Sequence, residues 1–162
     1  MLRTAPARVL APAGAVLTDS GIGVDLGGCP GRLLARDPAR HTRTYTYRFD
    51  HRTGPGITAG PPGHVWGAGH GAELRYLGPA FRDPVPADRP FTAAERRLSG
   101  EMIRYRGAFL HTGRPVVPGQ VSWPRHDAAG RVPSLRAGGH STVLADATLA
   151  AQHRCGFWDA VP

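Results

Sequence analysis

The sequence predicts an α/β fold, and three features along the chain indicate it. Thr44–Phe49 alternates aromatic and polar side chains, a pattern typical of a β-strand. Thr92–Thr112 has the apolar spacing of an amphipathic helix. Between them lies a Gly/Pro-rich loop that ends with His70 held between Gly69 and Gly71. A loop of that length inside a compact domain is usually functional or disordered.

The long helix has clear signals at both ends. Thr92 and Glu95 match a capping box, in which each side chain bonds the other residue's backbone N–H. Gly113 and Pro115 predict its end. Its apolar positions fall at i, i+4, i+7 and i+11, namely Leu98, Met102, Tyr105 and Phe109.

Shorter elements are predicted on either side. Pro30 is expected as the first residue of a short helix through Leu33–Ala35, because proline suits the first helical position. A second helix is predicted over Ala147–Trp158, capped by Asp146. Val132–Leu135 is predicted as a short edge strand. There is no internal repeat and no sign of a domain boundary.

Composition narrows the class of protein. The 162 residues include 22 Gly and 16 Pro, which indicate many turns, while 41% apolar residues are enough for a globular chain. The net charge of +8 is the balance of 20 basic and 12 acidic residues, and all 20 basic residues are arginine, a bias typical of GC-rich coding sequence. These arginines are scattered, with only Arg96 and Arg97 adjacent, and no apolar run is long enough to cross a membrane. We therefore predict neither a nucleic-acid partner nor a membrane partner.

The histidine between glycines indicates a specific chemistry. In an α/β-hydrolase the general base is a histidine that follows the nucleophile and the acid in chain order. The G-x-S-x-G motif of the nucleophile does not occur in this sequence. None of the five serines has that setting: Ser20, Ser99, Ser122, Ser134 and Ser141.

Several segments, in order, resemble the C-terminal portion of the type-B carboxylesterases, the family that includes the cholinesterases. The resemblance runs from Val16 to the end of the chain. The matching segments are Leu17–Asp19, Asp25–Pro30, Thr44–Arg52, Gly69–Leu74, Phe91–Glu95, Phe109–Pro115, Trp123–Pro124 and Cys155–Asp159. One position and one stretch depart from the family pattern: Arg106 stands where the family usually has tryptophan, and Arg75–Gly78 replaces a more apolar stretch.

The resemblance implies that residues 1–162 are the C-terminal segment of one α/β-hydrolase domain, without a second domain. This segment would contain an incomplete sheet, the long catalytic-histidine loop and outer helices. His70 would be the general base that takes a proton from a serine hydroxyl, and an imidazole pKa near neutrality suits that task. Gly69 and Gly71 would allow a tight turn. Glu73 would either fix the loop through a hydrogen bond or simply favour a helix N-terminus.

The resemblance also pairs Cys29 with Cys155 as a disulfide, which implies an oxidising compartment and a secreted or extracellular protein. The open alternative is two buried free thiols. Met1–Val16 is not a credible signal peptide, because its apolar run is short and interrupted. Two cysteines exclude a redox pair at C-x-x-C spacing and a cysteine-rich zinc site. No metal or cofactor is predicted, since the other histidines are scattered: His41, His51, His64, His111, His126, His140 and His153.

The predicted function is that of a carboxylic ester hydrolase segment. The whole enzyme would cleave a small-molecule carboxylic ester through a seryl acyl-enzyme. The 162 residues alone are expected to be inactive, because nucleophile, acid and oxyanion loop would lie elsewhere. Two alternatives remain open: a non-catalytic, cholinesterase-like binding module, and one half of a split hydrolase whose separately encoded N-terminal half carries the serine.

Overall fold

The computed structural model describes residues 28–55, 65–69, 71–78, 89–127, 129–158 and 160. The helices are α1 (Gly28–His41), α2 (Ala93–Thr112), α3 (Asp146–His153) and α4 (Cys155–Trp158), with a 3-10 helix at Leu74–Tyr76. The strands are β1 (Arg48–Phe49), β2 (Val132–Leu135) and β3 (Thr142–Leu144). The chain divides into two compact units, each discontinuous in sequence. Unit 1 comprises Met1–Thr46, Arg125–Val132 and Leu144–Pro162, and unit 2 comprises Tyr47–Pro124 and Pro133–Val143.

Unit 2 is built around α2, and the end signals of this helix are confirmed. The Thr92 side chain accepts a hydrogen bond from the Glu95 N–H at 3.2 Å, and the Glu95 carboxylate accepts one from the Thr92 N–H at 2.7 Å. At the other end Gly113 has φ +70°, a left-handed conformation that suits glycine, and its N–H donates to the Phe109 carbonyl. Thr92 is therefore the N-cap and Gly113 ends the helix, as predicted.

The buried face of α2 packs on the 3-10 helix and the sheet. The core of unit 2 comprises Tyr76, Leu98, Met102, Tyr105, Leu135 and Ala137. Phe109, the fourth position of the predicted apolar stripe, is 43% exposed. The stripe thus supplies core contacts over its first three positions only.

The three strands form one sheet in the order β1-β2-β3. β1 runs parallel to β2, with Arg48 opposite Ser134 and Phe49 opposite Leu135. The predicted strand over Thr44–Phe49 is too long, because only its last two residues pair. The prediction that Val132–Leu135 lies at an edge is wrong, since β2 has β3 on its other side. β3 is a three-residue strand, which gives almost no periodic signal in sequence.

Unit 1 joins α1 to the two C-terminal helices. α1 is longer than predicted: it begins at Gly28, contains Pro30 in its first turn and ends at His41. Proline is tolerated there, because the first N–H groups of a helix have no partner within it. The Cys29–Cys155 disulfide links α1 to α4, with both sulfurs buried and Cα atoms 5.4 Å apart. The disulfide implied by the family resemblance is confirmed, and the free-thiol alternative is wrong.

The predicted helix over Ala147–Trp158 is two helices. α3 ends at His153, Arg154 takes a left-handed conformation with φ +55°, and α4 follows. The prediction that Asp146 caps the helix is also wrong: Ala145 occupies the cap position without a side-chain bond. The Asp146 carboxylate instead accepts two hydrogen bonds from Arg32 of α1, at 2.7 and 2.6 Å. A charged bidentate pair satisfies this carboxylate more fully than a capping bond.

No helix within the described ranges is long and apolar enough to cross a bilayer. The prediction that residues 1–162 lack a second domain stays a prediction.

Loss of the Cys29–Cys155 bond is expected to lower the free energy of unfolding by about 4–5 kcal/mol, because the bond closes a long loop and so restricts the unfolded chain. Urea denaturation of the wild type, with and without reductant, measures this change. The Cys29→Ser, Cys155→Ser double variant is the control. Its midpoint should match that of the reduced wild type and should not change when reductant is added. A fully reduced wild type with an unchanged midpoint would contradict the expectation.

Candidate functional site

The described residues beside His70 take part in two overlapping hydrogen-bonded turns. The Ala72 N–H donates to the Gly69 carbonyl at 3.1 Å, and the Leu74 N–H donates to the Gly71 carbonyl at 3.0 Å. Gly71 has φ +78°, which strains any residue with a Cβ, whereas Gly69 has no such requirement. His70 itself lies outside the described residues. Its neighbour Gly71 is thus the glycine of the motif that the backbone requires.

Glu73 occupies the N-cap position of the 3-10 helix, and its side chain makes no capping hydrogen bond. Its position fits the alternative in which a carboxylate favours a helix N-terminus. The role of fixing the loop through a hydrogen bond stays a prediction.

Arg106, where the resemblance predicts tryptophan, has a defined partner. Its guanidinium donates to the Tyr47 hydroxyl at 2.9 Å, and its central carbon lies 5.4 Å from the centre of the Tyr47 ring. Trp123 packs against the same ring, with centroids 5.2 Å apart. Burial raises the pKa of Tyr47, and the Arg106 charge opposes that rise. The arginine therefore supplies a hydrogen bond to a phenol oxygen that is partly removed from water.

A second polar cluster lies where β1 ends. Asp50 is buried and its carboxylate accepts hydrogen bonds from Arg48 at 3.1 Å, Arg52 at 3.0 Å and the Ser134 hydroxyl at 3.2 Å. Burial opposes ionisation of Asp50, but the hydrogen bond from Arg52 and the neighbouring positive charges outweigh it and hold the pKa below its usual value. The cluster therefore fixes the start of the loop that follows β1.

Unit 2 also contains the buried carboxylate of Glu95, a residue that is 2% exposed. Arg89 donates to both of its oxygens, at 2.8 and 2.6 Å. His51 Nε2 lies 3.0 Å from one oxygen and the Thr92 N–H donates to the other. The two hydrogen bonds from Arg89 are the main reason that the pKa of Glu95 lies far below its usual range. Glu95 is therefore ionised and joined to residues from two separate segments.

Tyr76 lies beside this cluster and leaves one polar atom unsatisfied. Its side chain is 1% exposed, and its hydroxyl has no hydrogen-bond partner among the described residues. Burial, followed by the nearby Glu95 charge, raises the pKa of this hydroxyl. A Cβ placed on Gly54 would come within 2.7 Å of the hydroxyl oxygen, so the two segments approach closely here.

Sequence reasoning missed His51 and Arg89 as site residues. It treated His51 as one of several scattered histidines and saw Glu95 only as part of the capping box. His51 and Glu95 are 44 positions apart. No local spacing predicts such a contact, and the single available signal was the polar Asp50–Arg52 run directly after a strand.

No three metal-ligating side chains lie together in the part of the chain that the structure describes. The expectations of no metal and no cofactor stay predictions.

Comparison with known proteins places the chain in a family. The model of the carboxylesterase family matches residues 21–158. The chain belongs to the carboxylesterase family. It is 33% identical over 135 residues to an acetylcholinesterase of Bungarus fasciatus, covering 81% of this chain and 20% of that protein. It is 35% identical over 99 residues to the pyrethroid hydrolase Ces2e of Rattus norvegicus, covering 60% of this chain and 17% of that protein.

The chain therefore spans about a fifth of the length of these relatives. The family implies an α/β-hydrolase fold, and the parallel β1–β2 pair with its surrounding helices is consistent with part of that fold.

Gly54→Ala is expected to lower the free energy of unfolding by about 1–3 kcal/mol, because the new methyl group would collide with the rigid Tyr76 hydroxyl. Combining it with Tyr76→Phe should recover much of the loss, since that change removes the colliding oxygen. Urea denaturation measures both variants. Gly107→Ala is the matched control. A Cβ at this position of α2 would meet no atom within 4 Å apart from its chain neighbours and the nearby helix backbone, so alanine should stabilise the chain by about 0.5–1 kcal/mol. Equal effects at Gly54 and Gly107 would contradict the close approach.

Glu95 should make the stability of the chain fall in acid. Its pKa is lower in the folded chain than the value of about 4.3 in the unfolded chain. Its contribution is therefore fully present above that value and is lost as the pH falls through the interval below it. The urea concentration at the unfolding midpoint of the wild type should decrease as the pH is lowered from neutral to about 3. Glu95→Gln should make the midpoint depend less on pH over this range. An identical profile in wild type and variant would contradict this assignment.

Proposed function

We propose that this chain supplies His70 as the general base of a serine-type carboxylic ester hydrolase. The observation that carries the proposal is the carboxylesterase match over residues 21–158, which includes the whole Gly–His–Gly motif. In such a site the histidine accepts the serine proton during attack and returns it to the departing alcohol. The hydrogen bonds from Ala72 N–H to the Gly69 carbonyl and from Leu74 N–H to the Gly71 carbonyl, with the glycine-specific backbone at Gly71, support a precisely held loop.

The remaining catalytic groups would be provided by sequence outside these 162 residues. A nucleophilic serine, an acidic partner and backbone donors for the oxyanion complete such a site. We propose that they belong either to a longer form of this polypeptide or to a separately encoded partner. The sheet supports the proposal that further sequence completes the domain. Among the described strands β1 pairs with β2 alone, whereas a parallel strand normally has neighbours on both edges.

The substrate would be a small-molecule carboxylic ester, cleaved through an acyl-serine that water then hydrolyses. The two curated relatives are named for an esterase and a hydrolase, which supports this reaction class. We also propose an extracellular or secreted location for the mature protein, because the Cys29–Cys155 disulfide persists only in an oxidising compartment.

A fluorophosphonate probe, which reacts covalently with activated serines, tests the proposal. The protein is captured from its native source with an antibody against residues 92–115, labelled, and separated under denaturing conditions. A labelled serine peptide should accompany the captured chain, on the same polypeptide or on a bound partner. His70→Gln should reduce ester turnover by on the order of a millionfold. The 162-residue chain alone should remain unlabelled.

His111→Gln is the matched control, because His111 is exposed in the last turn of α2. It should leave labelling and turnover unchanged. Captured protein that never labels would favour the binding-module alternative. Labelling and turnover that survive His70→Gln would contradict the assigned role of the histidine.

A further inference from the structure

Two described segments of the histidine loop, one before and one after His70, are called its arms; residues 65–69, which are also described, belong to neither. The entry arm is Asp50–Pro55, which follows β1, and the exit arm is Gly71–Gly78, which contains the 3-10 helix. Both arms belong to unit 2 and contact the segment around the start of α2. Their contacts with that segment therefore restrict where the loop begins and where it ends.

The entry arm is held through Glu95. His51 lies 3.0 Å from the Glu95 carboxylate, and Arg89, which forks onto both oxygens of that carboxylate, also donates to the Thr53 carbonyl. Arg89 thus binds the Glu95 side chain of α2 and, at the same time, the backbone of the entry arm at Thr53. A guanidinium with several donors in a fixed plane suits such a bridge. Loss of the Glu95 charge would loosen both attachments together.

The exit arm is held on the next turn of the same helix. The Ser99 hydroxyl donates to the Tyr76 carbonyl at 2.9 Å. The Tyr76 ring packs on Phe91, with centroids 4.4 Å apart, and on Phe49 at 4.9 Å. Its hydroxyl fills the space beside Gly54 of the entry arm. The arms therefore also contact each other, and movement of one would disturb the other.

We propose that Glu95 is a positioning residue for His70: by fixing the entry arm to the start of α2, it sets the position from which the histidine loop departs. The inference rests on the proposed function. Glu95 is buried, paired and ionised, so it acts through the backbone of the loop rather than on substrate. Small displacements of a catalytic group are costly, since a shift of about 1 Å can lower the rate about a hundredfold.

The experiment compares Glu95→Gln with Glu101→Gln in the native hydrolase that carries this sequence. Both changes remove one carboxylate from α2, but Glu101 has no part in the described contacts of the arms. Turnover per active site is obtained by titrating reactive serines with the fluorophosphonate probe. Glu95→Gln should lower kcat per titrated site by about 10- to 100-fold with KM within about twofold, as expected for a loss confined to the transition state. Glu101→Gln should match the wild type.

Leu149→Ala separates positioning from stability. Leu149 is buried in α3 of unit 1, so its loss lowers stability without touching either arm. It should reduce the number of titratable sites and leave kcat per site unchanged. If Glu95→Gln behaves in the same way, the positioning role is overturned and Glu95 is purely structural.

Hydrogen exchange supplies a readout that does not depend on activity. Glu95→Gln should speed exchange of the Asp50, Ala72, Leu74 and Tyr76 amides, whose backbone bonds define the two arms. Unchanged exchange would overturn the inference. A wild type without His70-dependent turnover would instead overturn the proposed function and the positioning role with it. A wild-type rate in Glu95→Gln would overturn the positioning role alone.

Discussion

The arrangement of unit 2 depends on one buried ionised carboxylate, that of Glu95. Removing a carboxylate from water is costly, and the cost is offset only when charged and backbone donors surround it. Arg89, His51 and the Thr92 N–H supply them, and each comes from a part of the chain with little regular structure. An unpaired buried charge is unfavourable, so separating these segments from Glu95 would be costly. They are therefore held to the start of α2 more firmly than the local hydrogen bonds within the segments would hold them.

Unit 1 is held together by different chemistry. α3 and α4 are only eight and four residues long, and helices this short are marginal without tertiary contacts. The disulfide ties α4 to α1, and the bidentate Arg32–Asp146 pair ties α3 to the same helix. Arg36 adds a third bond to Asp146 at 3.2 Å. Each short helix thus gains its own bond to α1.

The sequence predicted what local rules determine. The capping box of α2 and its terminal glycine follow from backbone hydrogen bonds within a few residues, and the structure confirms both. The prediction failed where distant partners decide the outcome: Asp146 pairs with Arg32, 114 positions away, instead of capping its helix. β2 looked like an edge strand because three-residue β3 has no periodic pattern. The family resemblance, not any local rule, identified the cysteine pair, and the role of His70, which its glycine setting and the resemblance both indicated, stays a prediction.

The anchoring of the loop arms also bears on the choice between a hydrolase and a binding module. A binding surface needs exposed groups of suitable shape, whereas a catalytic histidine needs a position fixed to a fraction of an ångström. The contacts that Glu95, Tyr76 and Ser99 make with the arms are buried or half-buried. These side chains therefore expose little surface to which a partner could bind. They restrict backbone position instead. Restriction of the two described arms is costly in chain entropy, and under the proposed function it is useful because His70 must meet a serine hydroxyl at hydrogen-bond distance.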